Sequence, residues 1–523
     1  MLKVGRMTAA GALLLGVFGA AFFFLSRTTA SQAQAKPPLD PQILALGQRL
    51  YENQCAVCHG TAGAGDGPVS YLLYPKPRDF TRNEFRLVST SSMQATDEDL
   101  FQTITRGMPG SSMPSWKHLS GKERWALVYM VRHLTGVKKE IPPEAKIQVP
   151  QETPVTEEGL KRGRELFVKA CAACHGLQGK GDGPQKMTDT SGYPVRPRDL
   201  TAGIFKGSSS SEDLYVRIEA GIPGSPMPGY PEVFTDEQIW DMIHYVQTLP
   251  AKGAEERARV GRGRILVKKA KHADGDPLSE SWLKIEPVFV SLMPLWWRND
   301  RVEGVEVKAV HDGKRIALHL SWQDPTKDDS LASAQSFSDG AAVQLSADKD
   351  VPTFAMGNAE RPVALWNWKA AWQEDLKEWK DVESSYPDMA VDWYDSDTHY
   401  KHGESFEAAE SKTRFHDPQF LSGWGSGNPL SDPGKKSAGE EALSKGFGTL
   451  TTQLPRSGPI EVNGIWKEGK WQVVFSRALK TGESSLELER RKPLQAAFAV
   501  WDGAHRDRNG QKAVSVWNEL VLE

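Results

Sequence analysis

All four cysteines of the chain lie in two copies of one motif, in which a histidine directly follows a Cys-x-x-Cys pair. The copies are Cys55-Ala-Val-Cys58-His59 and Cys171-Ala-Ala-Cys174-His175. Two such pairs could bind zinc if they converged on one tetrahedral site, and a single pair could act as a redox dithiol. Neither use requires the histidine, whereas covalent attachment of c-type haem does. The two motifs therefore predict two covalently bound c-type haems.

The segments that contain the two motifs are similar to each other over about 90 residues, at 46–134 and at 162–249. Both contain a Gly-Asp-Gly-Pro tetrapeptide and, further on, a Pro-Arg-Asp tripeptide. Each is predicted to open with a helix that carries the cysteines at its end. Each is predicted to close with an amphipathic helix, at 122–134 and at 236–249. The repeat indicates two copies of one domain, separated by a Pro/Glu-rich linker at 139–157.

This layout resembles class I cytochrome c, twice, over roughly residues 40–252. The resemblance implies two all-α cytochrome c domains, at 40–138 and 158–252. In that family the two thiols add to the haem vinyl groups, the histidine supplies one axial ligand of the iron, and a later methionine supplies the other, which raises the reduction potential. The residues that match these roles are Cys55, Cys58, Cys171 and Cys174 for attachment and His59 and His175 for the iron.

The repeat itself selects the methionine ligand. The first copy offers Met93, Met108 and Met113. Aligning the two Gly-x-Pro-Gly-Ser-x-Met-Pro loops pairs Met113 with Met227, whereas Met108 pairs with an isoleucine, which cannot bind iron. A methionine is often core filler, but a Met-Pro within a Gly/Ser/Pro loop is a poor place for it. The expected iron ligands are therefore Met113 and Met227, with Met108 in a packing role.

The arginines of the two Pro-Arg-Asp tripeptides are Arg78 and Arg198. A planar guanidinium suits carboxylates, so each could contact a haem propionate. Each could equally be a solvated surface arginine or pair with the adjacent aspartate. Because a histidine and a methionine would fill both axial positions of each iron, the pattern favours outer-sphere electron transfer over catalysis at these haems.

Residues 1–35 indicate export. Lys3 and Arg6 precede an uncharged run of 19 residues, and Ala33-Gln-Ala35 fits a signal-peptide cleavage site. The apolar run is also close to the length of a membrane-spanning helix, so cleavage and retention as an anchor both remain open. In either case we expect the rest of the chain in the periplasm or on the outer face of the cytoplasmic membrane.

Length and composition indicate a multidomain protein and argue against one class of function. The 523 residues suggest three or four domains, and 64 Lys and Arg against 67 Asp and Glu argue against a nucleic-acid binder. Fourteen of the 17 tryptophans lie beyond residue 280. The C-terminal half is therefore a different kind of domain from the N-terminal half.

From about residue 263 the pattern changes to alternating apolar and polar residues. Hairpins are predicted at 305–322, around an Asp-Gly turn, and at 460–478. Further strands are predicted at 496–501 and 513–522. The polar stretch 384–446 is predicted to form long loops. These features predict an antiparallel β-sandwich over residues 263–523, whose composition fits a carbohydrate-binding or purely structural domain equally well.

Six strings in this half resemble the haem b-binding gamma subunits of the type II dimethyl-sulfoxide-reductase-like molybdoenzymes. Members include the ethylbenzene, dimethyl sulfide, selenate and chlorate enzymes, and related modules occur with some nitrate reductases and nitrite oxidoreductases. The resemblance covers roughly residues 265–523. The strings are 337-FSDGAAVQ-344, 354-FAMGN-358, 363-VALWNW-368, 425-GSGNP-429, 446-GFGT-449 and 498-FAVWDG-503.

The resemblance implies one haem b, held without a covalent bond by an axial methionine and an axial lysine. These roles transfer to Met356 and Lys512, whereas a core methionine and an exposed strand lysine are the alternatives. A lysine ligand must be deprotonated, which burial favours. We expect His319 at the surface, and His505 is the substitute ligand to test. The family's gamma subunits normally lack cytochrome c domains, so the fusion is a departure from its pattern.

The sequence therefore predicts a three-haem electron-transfer subunit rather than an enzyme. Its haem b domain would dock on the iron–sulfur and molybdopterin subunits of an exported molybdoenzyme, and the two c haems would exchange electrons with a respiratory carrier. One alternative is a free-standing, membrane-tethered dihaem cytochrome c whose β-domain binds a partner or a sugar. Another is a dihaem peroxidase, which the two matched Met-Pro loops disfavour.

Overall fold

The computed structural model describes residues 35–137, 141–142, 145–273, 275–331, 333–348, 350–377, 386, 436–453, 460–480, 488 and 494–523. The predicted signal peptide or anchor lies outside these residues. In the parts of the chain so described, no helix has both the length and the apolar character that crossing a membrane requires.

The first cytochrome c domain is helical. Its last helix begins where Ser120 accepts a hydrogen bond from the backbone N–H of Glu123, whose carboxylate accepts one from the backbone N–H of Ser120. The predicted closing helix is thus confirmed, one residue longer at each end. The helices are α1 (Pro41–Gln54), α2 (Ala56–His59), α3 (Asp97–Arg106) and α4 (Gly121–Thr135), with a 3-10 turn at Ser70–Leu72.

The second cytochrome c domain repeats this arrangement. Thr235 and Gln238 cap its closing helix in the same reciprocal way. The helices are α5 (Glu157–Ala170), α6 (Ala172–His175), α7 (Ser211–Ala220) and α8 (Asp236–Gln247), and a short hairpin is formed by β1 (Met187–Thr188) and β2 (Pro194–Val195). Helix α9 (Ala254–Ala258) follows the domain.

A glycine lies at the crossing of the opening and closing helices in both domains. A Cβ atom on Gly47 would lie 2.2 Å from the carbonyl oxygen of Ala126, and one on Gly163 would lie 2.0 Å from the carbonyl oxygen of Asp241. The backbones of α1 and α4, and of α5 and α8, are therefore in direct contact. This close crossing fixes the cysteine-bearing end of each opening helix relative to the rest of its domain.

The C-terminal half is a sheet-rich region with few helices. One sheet of 14 strands runs in the order β11-β10-β9-β8-β14-β16-β3-β6-β7-β13-β12, with β4, β5 and β15 paired at its sides. Its elements are β3 (Arg264–Lys269), β4 (Val288–Ser291), β5 (Met293–Pro294), β6 (Gly304–His311), β7 (Arg315–Gln323), β8 (Gly340–Ser346), β9 (Val363–Lys369), α10 (Ala370–Asp375), β10 (Gly439–Ser444), β11 (Thr451–Gln453), β12 (Glu461–Lys467), β13 (Lys470–Ala478), β14 (Leu494–Trp501), β15 (Ala513–Val514) and β16 (Asn518–Leu522), with a 3-10 turn at Glu280–Lys284.

Most of the strand predictions are confirmed. Strands β6 and β7 pair as the predicted hairpin, as do β12 and β13. The expectation of a wholly antiparallel sheet was wrong, because β3 pairs in parallel with both β16 and β6. The first and last strands of the sheet region in chain order, β3 and β16, are thus neighbours in the sheet. No local pattern in the sequence indicates this pairing.

Two further predictions need correction. Strand β10 lies within the stretch 384–446, which had been expected to form only loops, and most of the rest of that stretch lies outside the described residues. His319, expected at the surface, is buried and only 3% exposed. Its ring lies 5.1 Å from the ring of Trp282, which covers this side of β7.

The core of the sheet is built around tryptophans from strands that are far apart in the strand order. The ring of Trp368 on β9 lies 4.9 Å from that of Trp471 on β13 and 6.2 Å from that of Trp322 on β7. All three side chains are at most 2% exposed. Burial of such large apolar groups is the dominant stabilising contribution to this region.

Candidate functional site

The first Cys-x-x-Cys-His motif lines a cavity of about 1250 Å³ in the first cytochrome c domain, here called the first cavity. Helix α1 ends at Gln54 and the short helix α2 directly follows, so both cysteines and the histidine are held at one wall. Cys55, Cys58, His59, Met108 and Met113 all line this cavity. The structure therefore brings the predicted attachment and ligand residues of the first motif together.

His59 is held in a defined orientation. Its Nδ1 atom lies 3.0 Å from the carbonyl oxygen of Arg78, and its ring stacks on that of Phe80 at 4.5 Å. Burial lowers the pKa of His59 below its ordinary value. A neutral imidazole whose Nδ1–H is donated to a carbonyl presents its Nε2 lone pair to a metal, which is the form that ligates iron.

The second motif lines a second cavity of similar size, about 1250 Å³. Cys171, Cys174, His175 and Met227 all lie in its wall. Burial lowers the pKa of His175 to about 4, so this imidazole is also neutral. Unlike its counterpart in the first domain, His175 has no hydrogen-bond partner for its buried Nδ1 atom among the described residues.

The two methionine loops are folded alike. The backbone N–H of Met108 donates to the carbonyl of Met113 at 2.9 Å, and that of Ile222 donates to the carbonyl of Met227 at 3.1 Å. Met108 and Met113 both line the first cavity, so lining alone does not separate them. The second cavity is also lined by two further methionines, Met187 and Met242.

The arrangement of the thiols does not suit zinc. Cys55 and Cys58 line one cavity and Cys171 and Cys174 line the other, so the two pairs do not converge on one tetrahedral site. Burial raises the pKa of Cys55 and of Cys58 to about 12, which disfavours the thiolate. Paired cysteines next to a neutral histidine in a largely apolar cavity fit a covalently attached haem.

The two Pro-Arg-Asp arginines are not free surface residues, and neither pairs with its adjacent aspartate in the described structure. Arg78 lines the first cavity and Arg198 the second. Arg198 is buried, and its Nε atom donates to the carbonyl of Gly110 in the methionine loop of the other domain at 2.8 Å. Both guanidinium groups thus lie at the junction of the two cytochrome c domains.

A third cavity, of about 780 Å³, lies in the sheet region and is lined by both Met356 and Lys512. Met356 has a backbone φ of 67°, in the left-handed region that non-glycine residues rarely adopt. Such strain occurs most often at functional sites. Burial lowers the pKa of Lys512 to about 8, and its Nζ lies 4.8 Å from the centre of the Trp501 ring. The two predicted ligands therefore meet at one largely apolar site.

The two histidines considered earlier lie elsewhere. The imidazole of His505 contacts the carboxylates of Asp502 at 2.7 Å and Asp300 at 2.9 Å, and it does not line the third cavity. His319 is packed under Trp282 on the sheet. Neither is placed to substitute for Lys512.

The three cavities adjoin one another in a fixed order. Cys58, Leu73, Ser112 and Phe354 line both the first and the third cavity. Lys206 lines both the first and the second cavity. No described residue lines both the second and the third. The first cavity thus shares wall residues with each of the other two.

Direct contacts hold the first domain against the sheet region. Tyr74 exchanges backbone hydrogen bonds with the segment that follows β5, donating to Leu295 at 2.9 Å and accepting from Trp297 at 2.8 Å. The hydroxyl of Ser112, next to the predicted ligand Met113, contacts the carbonyl of Leu295 at 3.2 Å. The backbone N–H of Leu295 in turn donates to the carbonyl of Lys512 at 2.9 Å. One short segment therefore links the walls of both cavities.

Sequence reasoning missed Lys206 and the shared wall. Lys206 follows Ile204-Phe205 in the second domain, and its counterpart region in the first domain includes Arg86. An isolated lysine that follows two apolar residues carries no motif, so only the packing of the domains reveals its position. Phe354 belongs to the string 354-FAMGN-358, which carries part of the family resemblance, but the sequence predicted no role for its side chain.

Family models match three successive parts of the chain. Residues 42–130 match the model described as cytochrome c oxidase, cbb3-type, subunit III, and residues 160–250 match cytochrome c. Residues 279–513 match the ethylbenzene dehydrogenase family. The chain joins two cytochrome c domains to an ethylbenzene dehydrogenase-family domain. The resemblance inferred from the sequence is thereby confirmed.

Curated relatives agree with this assignment. A protein of Haloferax mediterranei described as a respiratory nitrate reductase heme subunit is 25% identical over 46% of the chain and 66% of its own length. The gamma subunit of chlorate reductase from Ideonella dechloratans is 23% identical over 51% of the chain and 89% of its own length. That of dimethylsulfide dehydrogenase from Rhodovulum sulfidophilum is 26% identical over 40% and 57%. The chain thus spans between about half and nine tenths of these relatives.

Proposed function

We propose that the chain is an electron-transfer subunit that holds two c-type haems and one haem b in series. The observation that carries this proposal is the succession of three adjoining cavities, in which the first cavity shares wall residues with each of the other two. Bound haem supplies one-electron transfer, while the protein supplies attachment, axial ligands and spacing. A continuous chain of shared walls is what short steps between such groups require.

The first two sites are proposed to bind haem covalently. Their thioether residues would be Cys55 and Cys58 in the first and Cys171 and Cys174 in the second. Their axial pairs would be His59 with Met113 and His175 with Met227. The neutral histidines and the matched methionine loops support these pairs.

The third site is proposed to bind haem b between Met356 and Lys512. Three features support it: both residues line one cavity, the backbone of Met356 is strained, and burial lowers the pKa of Lys512 toward the deprotonated form that can ligate iron. The surrounding sheet is proposed to be a two-layered sandwich, supported by the contacts between Trp322, Trp368 and Trp471 across the strand order.

The partners are proposed from the relatives. Because chlorate reductase and dimethylsulfide dehydrogenase have gamma subunits that resemble this chain, we infer that the ethylbenzene dehydrogenase-family domain docks on the iron–sulfur and molybdopterin subunits of such an enzyme. The chain itself would not be catalytic. The second cytochrome c domain, at the far end of the series, would meet a respiratory carrier outside the cytoplasmic membrane.

The order of the series can be tested by removing one c haem at a time. Cys55→Ala/Cys58→Ala should eliminate the first c haem, and the matched control Cys171→Ala/Cys174→Ala the second. Each reduced protein is mixed with an oxidised soluble c-type cytochrome, and the b and c absorption bands are followed separately.

The proposal predicts distinct results for the two variants. Without the first c haem, the remaining c haem is oxidised at the wild-type rate but haem b at least tenfold more slowly. Without the second, both remaining haems are slow. Oxidation of haem b at the wild-type rate in the first variant would contradict the series.

A further inference from the structure

A cluster of four cations lies where the two cytochrome c domains meet. Its members are Arg78 and Arg86 from the first domain and Arg198 and Lys206 from the second, here called the cation cluster. Arg78 and Arg86 line the first cavity, Arg198 lines the second, and Lys206 lines both. The cluster is therefore part of both cavity walls, in which Arg198 is buried and the other three cations are half-buried.

The arginines are interlocked across the domain boundary. Arg86 donates to the carbonyl of Gly224 at 2.7 Å, in the methionine loop of the second domain, while Arg198 donates to the carbonyl of Gly110 in the methionine loop of the first. These hydrogen bonds position the guanidinium groups but do not neutralise them, because a carbonyl carries no net charge.

The protein itself provides too few carboxylates near the cation cluster to neutralise its charge. Among the described residues, Asp189 is the one carboxylate within ion-pair distance of a member, 3.6 Å from Arg86. With Lys206 protonated, four positive charges face one negative charge, which leaves an excess of three. Burial, reinforced by Arg198, Arg86 and Arg78, holds the pKa of Lys206 well below its ordinary value. An uncompensated group of charges of this kind is costly to bury unless anions join it.

We propose that Lys206 and the three arginines form a carboxylate-binding site that takes the propionate groups of both c-type haems at once. This inference rests on the proposed function, since it requires haem in both cavities. Each haem brings two carboxylates, and the excess charge of the cluster faces the two cavities that would hold them. Lys206 and the second predicted iron ligand, His175, line the same cavity.

A shared cation couples the two haems electrostatically. Reduction lowers the charge of a haem by one unit, so a nearby positive charge favours the reduced form. Removing Lys206 should therefore lower the midpoint potentials of both c haems. A lysine that serves only one haem would affect only that one, and a lysine that only fills space would affect neither.

The test uses Lys206→Gln and, because a buried glutamine could disturb the fold, also Lys206→Met, whose apolar chain is similar in length. The control is Lys161→Gln, which changes an exposed lysine on α5. The two c-haem potentials of each holoprotein are resolved by redox titration followed by electron paramagnetic resonance.

We expect both potentials to fall in both Lys206 variants and neither to move in the control. A fall of one potential only, or of none, would overturn the inference. Failure of the proposed function is seen separately: a purified wild-type chain without c-type haem contradicts that function, whereas a fully loaded chain with unmoved potentials contradicts only the shared site.

Discussion

At the scale of single residues, equivalent positions in the two cytochrome c domains differ in ways that matter for the iron. His59 has a carbonyl partner at 3.0 Å for its Nδ1 atom, whereas the described structure provides none for His175. A hydrogen bond of this kind fixes the tautomer and increases the basicity of the ligand nitrogen, which stabilises the oxidised iron. The two c haems are thus expected to have different potentials, with the lower one in the first domain.

The choice between two methionines in the first domain is testable by substitution. Met113→Ala should remove the thioether ligand and lower the potential of one c haem by on the order of 0.1 V, since axial ligands set haem potentials over a wide range. Met108→Ala is the matched control, because it lines the same cavity and belongs to the same loop. Optical redox titration of each variant distinguishes the two residues. A fall in potential confined to the Met108→Ala variant would show that Met108, and not Met113, is the ligand.

The proposed haem b site depends on Lys512 as its predicted lysine ligand. Lys512→Ala should abolish the b-type spectrum while leaving both c-type haems in place, because only the third cavity loses a ligand. Lys314→Ala, an exposed lysine on the same domain, should change neither. The measurement is the reduced absorption spectrum of each purified variant. A normal b-type band in the Lys512 variant would show that another residue ligates the iron.

At the scale of elements, the close helix crossings leave no room for a larger side chain at Gly47 or at Gly163. Gly47→Ala would push a Cβ atom to 2.2 Å from a backbone oxygen of α4. The helices must separate, which should cost about 1–3 kcal/mol in the free energy of unfolding, as overpacked cores do. Urea unfolding measures this, and Gly275→Ala, with no atom within 4 Å of its Cβ, serves as the unaffected control.

The ends of three strands meet at a buried acidic group formed by Asp324, Asp339 and Asp502. Asp324 is 1% exposed and its Oδ2 has no hydrogen-bond partner among the described residues. Burial raises the pKa of Asp324 to about 6 and that of Asp339 to about 7, each also raised by a neighbouring carboxylate. The folded state therefore retains protons that the unfolded chain releases between about pH 4 and 7.

Stability of this domain should accordingly fall as the pH rises through that window and become constant above it. Asp324→Asn should flatten the fall and raise the free energy of unfolding at pH 8 by about 1–2 kcal/mol. Thermal melts across the pH range test this, with Asp350→Asn, an exposed aspartate, as the control. A variant that melts below the wild type at pH 8 would mean that the charged carboxylate is stabilising.

At the scale of the whole molecule, local sequence patterns predicted the individual domains and hairpins but not how they pack together. The cysteine motifs, the repeat and the hairpins were visible because each depends on residues close in sequence. The parallel pairing of β3 and the burial of His319 depend on contacts between residues distant in the sequence, within the sheet region. The position of Lys206 between two cavities depends on the contact between the two cytochrome c domains. Nothing near Tyr74 in the sequence indicates that it hydrogen-bonds a segment more than 200 residues away.

The assembly also gives the fusion of three domains a physical purpose. If the ethylbenzene dehydrogenase-family domain were a separate protein, the haem proposed for it would meet a cytochrome only by diffusion. Here Leu295 hydrogen-bonds both Tyr74 of the first cytochrome c domain and Lys512 of the third cavity. Lys512 is a predicted iron ligand of the third cavity, and Tyr74 belongs to the domain that holds the first cavity. Because one backbone segment contacts both residues, it keeps the two cavities at a fixed separation.

The most direct test of the central claim is the haem content of the intact chain, measured by the pyridine haemochrome assay on protein matured with both haem types available. The account predicts two c-type haems and one b-type haem per chain. Two c-type haems without any haem b would contradict the three-haem series and favour a dihaem cytochrome c whose C-terminal domain binds something else.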